Sequence, residues 1–297
     1  MAADDALIFD GELPELRSPV LVCAFAGWND GAGAATSALT GIAAALDAEP
    51  FARIDPEEFY DFQVNRPTIR LTEGQTRHVD WPTNVFLAAP APGAERDLAL
   101  LSGIEPNNRW RGYTEAILAA AERLDVEMVV TLGALIADVP HTRPVPITGL
   151  ASDLELVERL NLSRSNYEGP TGIVGVLHDA CRQRGLVSAS LWAAIPHYVA
   201  TVPNPKAALA LLRRLEGFTG IAIEASDLEE SAGQFEEQID RAVEANPEIS
   251  QLVRQLEEAQ QDEFDLGGDV PSGDALARDF QRFLRQRGSQ PGGDGHG

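Results

Sequence analysis

Val20-Leu-Val-Cys-Ala-Phe-Ala26 runs without a break into Gly27-Trp-Asn-Asp-Gly-Ala-Gly33 and then into an Ala-, Thr- and Leu-rich stretch ending at Leu46. The seven apolar residues are too few for a buried helix of ordinary length and do not alternate with polar ones. That pattern fits a strand covered on both faces. Three glycines in the next seven residues allow a sharp turn and a close approach of backbone to whatever lies above the strand. Asp30 is placed to cap the helix that follows. Strand, tight loop and helix in this order belong to a layered α/β fold.

The rest of the chain repeats the alternation. Leu7, Ile8, Phe9, Leu13 and Leu16 suggest an edge strand. Phe59-Tyr-Asp-Phe-Gln-Val64 and Asn65-Arg-Pro-Thr-Ile-Arg-Leu71 are mixed in texture, and Pro67 makes the second an edge strand or a bend. Further strands are expected at Asn84–Ala89, Met128–Leu132 (running on into Gly133), Val145–Gly149 and Leu186–Ala194. Helices are expected at Trp110–Leu124, from Thr171 to Arg184, and after Asn204-Pro205, a strong start signal. The expected fold is a three-layer α/β/α arrangement with helices on both faces of a mixed, mostly parallel sheet. Residues 1–225 form that core. Ser226-Asp-Leu-Glu229 reads as a capping box opening an acidic helical extension over residues 226–264. A linker, a short helix opened by Ser272 and a polar tail fill residues 265–297. A further short helix is expected from Ser152-Asp-Leu-Glu155.

Asp and Glu number 46 against 23 Lys and Arg, a net charge of −23. Such a chain repels phosphate backbones and anionic lipid surfaces, so neither nucleic acid nor membrane is expected as a partner. Cys23 and Cys181 both lie in apolar segments and read as buried free thiols. With no leader-like start and no apolar run long enough to span a bilayer, the expected location is the cytoplasm.

Motifs for chemistry are weak. Gly31-Ala-Gly33-Ala-Ala-Thr36 departs from a dinucleotide fingerprint at its third glycine. Tight turning and close packing explain it better, and free N–H groups there could also hold a small anion. Gly169-Pro-Thr-Gly172 offers a second helix start of the same kind, with Thr171 as cap. Asp138 and His141 follow a strand end, where open α/β sheets place their sites, and are the weak candidates for an acid–base pair. A loop ion pair is the commoner role for two such residues. His178 reads as structural, and His197, after a strand end, as packing. No close ligand pair supports a metal, and no cofactor is expected. Ligand or anion candidates are Gly27, Trp28, Asn29, Asp30, Gly31, Gly133, Gly169, Thr171 and Gly172.

Ala26-Gly-Trp-Asn-Asp-Gly-Ala32, Phe59-Tyr-Asp-Phe with Asn65-Arg-Pro67, Gly133-Ala-Leu-Ile-Ala-Asp-Val-Pro140 and Tyr167-x-Gly-Pro-Thr-Gly172 together resemble the PAC2 family, which includes proteasome assembly chaperone 2. The similarity is strongest to its actinobacterial branch and covers about Leu7 to Leu215, continuing loosely into the helical tail. It implies a core like that of nucleoside phosphorylases and related hydrolases. It also implies homo-oligomers, trimers among them, or complexes with proteasome α-type subunits, and no settled catalytic activity. Interface candidates on this reading are Trp28, Phe59, Tyr60, Phe62 and Arg66. The chain ends Gly295-His-Gly297, without the hydrophobic–Tyr–any residue tail of proteasome-docking proteins, so docking is expected through the body of the protein. The expectation is a non-enzymatic, chaperone-like assembly factor. The alternative is a phosphorylase- or nucleosidase-like enzyme or small-molecule sensor. It would hold a phosphate or nucleoside over Gly27–Gly33 and Gly169–Gly172, with Asp138 or His141 as acid or base.

Overall fold

The computed structural model describes residues 6–72, 76–152, 169–200 and 203–265. Its strands are β1 (Leu7–Phe9), β2 (Val20–Ala26), β3 (Glu49–Ile54), β4 (Thr68–Thr72), β5 (Thr76–Asp80), β6 (Asn84–Ala89), β7 (Leu98–Ile104), β8 (Met128–Ala137), β9 (Ile147–Ala151) and β10 (Val187–Pro196). Eight of them form one mixed sheet in the order β1-β3-β6-β7-β2-β8-β10-β9, and β4 and β5 form a separate hairpin. The central block β7, β2, β8, β10 is parallel, and the flanks are antiparallel. Five of the eight strands therefore point the same way.

β2 sits in the middle of this sheet, as its apolar run requires. Val20, Val22 and Ala24 face one layer, while Leu21, Cys23 and Phe25 face the other. All six are at most 1% exposed. Burying each of the larger side chains contributes roughly 1.5–3 kcal/mol. Over the first face lie α1 (Ala34–Ala45) and, further along the chain, the helix Pro205–Thr219. Over the second lie α2 (Trp110–Arg123) and α3 (Ile173–Arg184). With Pro205–Thr219 as α4, two acidic helices follow: α5 (Ser226–Glu244) and α6 (Pro247–Asp265). α1 meets the sheet through Ala34, Ala35 and Ala38, small side chains that let its backbone come close.

Several expectations change in detail. β3, β5 and β7 are strands that the sequence reading passes over, and β7 lies directly beside β2. Phe59–Val64, mixed in texture, is a turn, and Pro67 precedes β4 in the detached hairpin. Ser226 does not cap α5; its own N–H donates to Glu224 Oε1 at 2.7 Å. Asn204 does cap α4, accepting from Ala207 N at 3.0 Å. The expected helix at 152–155 and the linker, final helix and tail after 265 fall outside the described residues.

The topology fixes where a site would lie. The connection from β2 passes over one face through α1, and the connection from β7 over the other through α2. These two strands are neighbours, so a crevice opens between their C-terminal ends, the customary ligand address of an open α/β sheet. The loop after β2 and the residue after β7, Glu105, meet there.

Candidate functional site

Among the described residues, the chain's own side chains meet across this crevice. The Glu105 carboxylate accepts from Asn29 Nδ2 at 3.0 Å and from the backbone N–H of Ile173, first residue of α3, at 2.8 Å. A carboxylate at a helix start offsets the partial positive charge of the unpaired N–H groups. Gly172 is required by this arrangement, because a Cβ there would come within 2.4–2.7 Å of Asn29 and Glu105. Thr171 does not cap α3, as the sequence suggested; the cap arrives from Glu105, 68 positions earlier in the chain.

The β2 loop is closed in the same manner. Asp30 Oδ1 accepts from Ala35 N at 2.7 Å, and Thr36 Oγ1 donates to Asp30 Oδ2. Burial pushes the Asp30 carboxyl up, and these donors partly oppose that shift. Ala134 N donates to Asn29 O at 2.9 Å, pressing the loop on the tip of β8, and Gly31 allows the approach because a Cβ would lie 3.1 Å from Ala134 O. Gly133 is a strand residue whose missing side chain makes room for the Trp192 ring, 2.6–2.8 Å from where a Cβ would stand. Both helix starts that could receive an anion thus hold a carboxylate of the same chain. Gly27, Asn29, Asp30, Gly31, Gly133 and Gly172 lie at one end of the sheet, and Gly169, three residues before Gly172, is exposed.

Asp138 and His141 are not a pair. Asp138 Oδ1 lies 3.0 Å from His197 Nδ1, off hydrogen-bonding alignment. His141 is 5% exposed and its Nε2 lies 2.9 Å from Asp240 Oδ1 on α5. Tyr198 Oη accepts the His141 backbone N–H and lies 2.7 Å from Nδ1. If the phenol donates to Nδ1, Nε2 carries the proton and donates to Asp240, so every polar atom of the ring is paired. Lys206 Nζ, the chain's single lysine, donates to His141 O and to Glu236 Oε1. These contacts pin the acidic helix to the strand ends. The hollow beside them, lined by Val139, His141, Lys206 and Phe235, has a volume of about 10 Å³, room for about one water. His141→Ala is expected to cost roughly 1–3 kcal/mol. It should speed amide exchange in 226–259 while leaving β2 and β8 protected, read by hydrogen-exchange mass spectrometry.

His178 is structural, as expected. It lies between Thr131 Oγ1 and Ser188 Oγ, and burial lowers its pKa to about 4, so it is neutral at pH 7. Among the described residues no group of three or more His, Cys, Asp or Glu side chains is placed to hold a metal ion. Nor is any helix there long and apolar enough to cross a membrane.

Of the expected interface residues, Phe59 and Tyr60 are buried in the chain's own core. Phe59 packs edge-on against Tyr113, and Tyr60 Oη donates to Ile104 O at 2.7 Å. Trp28, on the loop after β2, is 41% exposed. Phe62 is half-buried, stacked edge-on against Trp81 at 4.9 Å, and Arg66 is exposed.

Fold and site together define a three-layer α/β/α protein whose customary ligand crevice, among the described residues, is bridged by contacts of the chain's own Asn29, Asp30 and Glu105. The chain belongs to the PAC2 family, whose model matches residues 24–243 and so reaches through all but the last residue of α5. It is similar to a PAC2 family protein of Streptomyces avermitilis, at 46% identity over 79% of this chain and 99% of that one, TM-score 0.73. It is similar to a proteasome-assembly chaperone homologue of Mycobacterium tuberculosis, at 44% identity over the same shares and the same TM-score. Its fold is also that of an archaeal proteasome activator of Pyrococcus furiosus, at 20% identity over 80% and 98% of the two chains, TM-score 0.65. No curated protein matches.

Proposed function

We propose that this chain is a cytoplasmic, non-enzymatic assembly factor that works by binding copies of itself and proteasome α-type subunits. The observation that carries this reading is the contrast between the two ends of its surface chemistry. The positions where a phosphate or nucleoside would sit are taken by Glu105, Asp30 and Asn29. Large apolar side chains instead stand in solvent at Trp28, Val64, Ile69, Leu71, Val79 and Trp81. A scaffold with a closed crevice and open apolar surface suits protein contacts better than catalysis. The mycobacterial relative's description as a proteasome-assembly chaperone homologue points the same way. In this reading residues 1–225 supply the scaffold, the acidic helices form a docked appendage, and Trp28, Phe62 and Arg66 stay as contact residues.

The test combines light scattering behind size exclusion with pull-down of proteasome α-type subunits by tagged full-length protein. Self-association together with captured α-subunit is the expected result. A monomer that captures nothing overturns the proposal.

A further inference from the structure

The β4–β5 hairpin is the strangest part of the surface. Thr68 pairs with Asp80, Ile69 with Val79, Arg70 with His78 and Leu71 with Arg77. Alternation therefore places Ile69, Leu71, Arg77 and Val79 on one face and Arg70, His78 and Asp80 on the other. Ile69 is 58%, Leu71 64% and Val79 46% exposed, and Trp81, next on the same side, is 49% exposed. An isolated two-stranded hairpin is marginal in water. This one holds three aliphatic side chains open on a single face, and among the described residues no layer covers them. Its charge is also unlike the rest of the chain. Residues 66–77 carry Arg66, Arg70 and Arg77 against the single acid Glu73, in a protein with twice as many acids as bases. Arg70 pairs with Asp80 on the other face, which leaves Arg77 as the cation on the apolar one.

The complementary surface is on the same molecule. Residues 226–265 carry thirteen Asp and Glu against Arg241 and Arg254, nearly half of the net charge of −23. On α6, Ile249, Leu252 and Leu256 form a stripe that is only half covered, and Glu244 and Glu248 are exposed at the corner between α5 and α6. Arm and helices share one end of the sheet. The hairpin leaves between β3 and β6, whereas α5 is pinned by His141 beside β8 and β10. Four strand spacings of about 4.8 Å, roughly 20 Å, separate β6 from β10.

Resting on the self-association proposed above, we propose that the hairpin docks on a second copy of this chain. Ile69, Leu71 and Val79 would cover the α6 stripe of the neighbour, with Arg77 against its acidic rim. Two different patches meet in such a contact, so it is heterologous and propagates until a ring closes.

Light scattering on four proteins tests this. The wild type is expected to be an oligomer. Ile69→Asp/Val79→Asp, which breaks the arm, and Glu244→Lys/Glu248→Lys, which breaks the helical seat, should each run as monomers with unchanged circular dichroism. Mixed at equal concentration, they should form a one-to-one dimer, because each keeps the half that the other lacks. Arg77→Glu is the milder arm variant and should weaken assembly at least tenfold without touching the hairpin's apolar residues. An arm variant that keeps the wild-type mass overturns the inference and leaves self-association standing. Two monomeric variants that stay apart on mixing also overturn it, since the arm then meets something other than the helices. A monomeric wild type ends both this inference and the self-association it rests on, whatever the pull-down captures.

Discussion

Asp97→Ala is expected to destabilise the protein by roughly 3 kcal/mol, since each buried donor left unsatisfied costs about 1–3 kcal/mol. For a chain of this size that is a fall in Tm of about 6–12 °C. Asp97 is 3% exposed in the turn before β7. Its carboxylate accepts from Ala91 N at 2.8 Å, from Arg17 N at 2.8 Å and from the Arg17 guanidinium at 2.6 and 3.1 Å. Arg17 itself is half exposed, so the charge pair contributes little beyond its hydrogen bonds. The loss comes from the backbone donors that hold the N-terminal segment to the β6–β7 turn.

The same carboxylate gives a pH signature. Burial pushes its pKa up, but Arg17 and the backbone donors outweigh that and hold it below the ordinary 3.8. A carboxyl depressed in the folded state adds its full stability above the unfolded pKa and loses it as the pH falls through the folded one. The stability gap between wild type and Asp97→Ala should therefore be constant above about pH 5 and shrink below about pH 4. Denaturant melts at five pH values measure it. Comparing two proteins cancels the general relief of charge repulsion that acid brings to a chain with 46 acidic residues. A gap that grows in acid would refute the assignment.

What the sequence disclosed depended on whether a residue's reason lay nearby. β2 is legible because both its faces are covered, which writes seven apolar residues in a row. Asn204-Pro205 is legible because a cap and its helix are adjacent. β7 is harder to read although Leu98-Ala-Leu-Leu-Ser-Gly-Ile104 is nearly as apolar. Gly103 weakens it as a strand, and the reason for that glycine is remote: a Cβ would fall 1.5 Å from Asn84 Oδ1, which accepts from Ile104 N. The convergence of the glycine loops was legible; what occupies them was not. Glu105 is one acid after an apolar run, and its partners stand 76 and 68 positions away. His141 reads only as a weak acid–base candidate for the same reason, since its partner Asp240 lies 99 positions on. Its local signal, a histidine after a strand, is shared by active sites and by pins. Three-dimensional proximity alone separates the two.

Glu105→Ala is the counterpart of that lesson, with an expected cost of about 3 kcal/mol. The variant would leave the Asn29 amide and the first N–H of α3 without their acceptor, and Asn29 is 2% exposed with its Oδ1 already unpaired. Glu105→Gln keeps an acceptor near Ile173 N but gives up the charge at the helix start, so it should cost about 1 kcal/mol. The ordering, alanine far worse than glutamine, is what an internal lock predicts and can be read from denaturant midpoints. A formate ion is small enough to take the place of the missing carboxylate. In the alanine variant, formate in the tens of millimolar should raise Tm, while chloride at equal ionic strength should not. Wild-type protein should be indifferent to formate, phosphate and nucleosides alike, because its helix starts are already occupied by Glu105 and Asp30. If alanine at 105 proves harmless and phosphate stabilises the wild type, the crevice is open and the ligand-binding reading displaces the assembly one. At 100 times its dissociation constant a true ligand would add about 2.7 kcal/mol, far above the noise of a thermal scan.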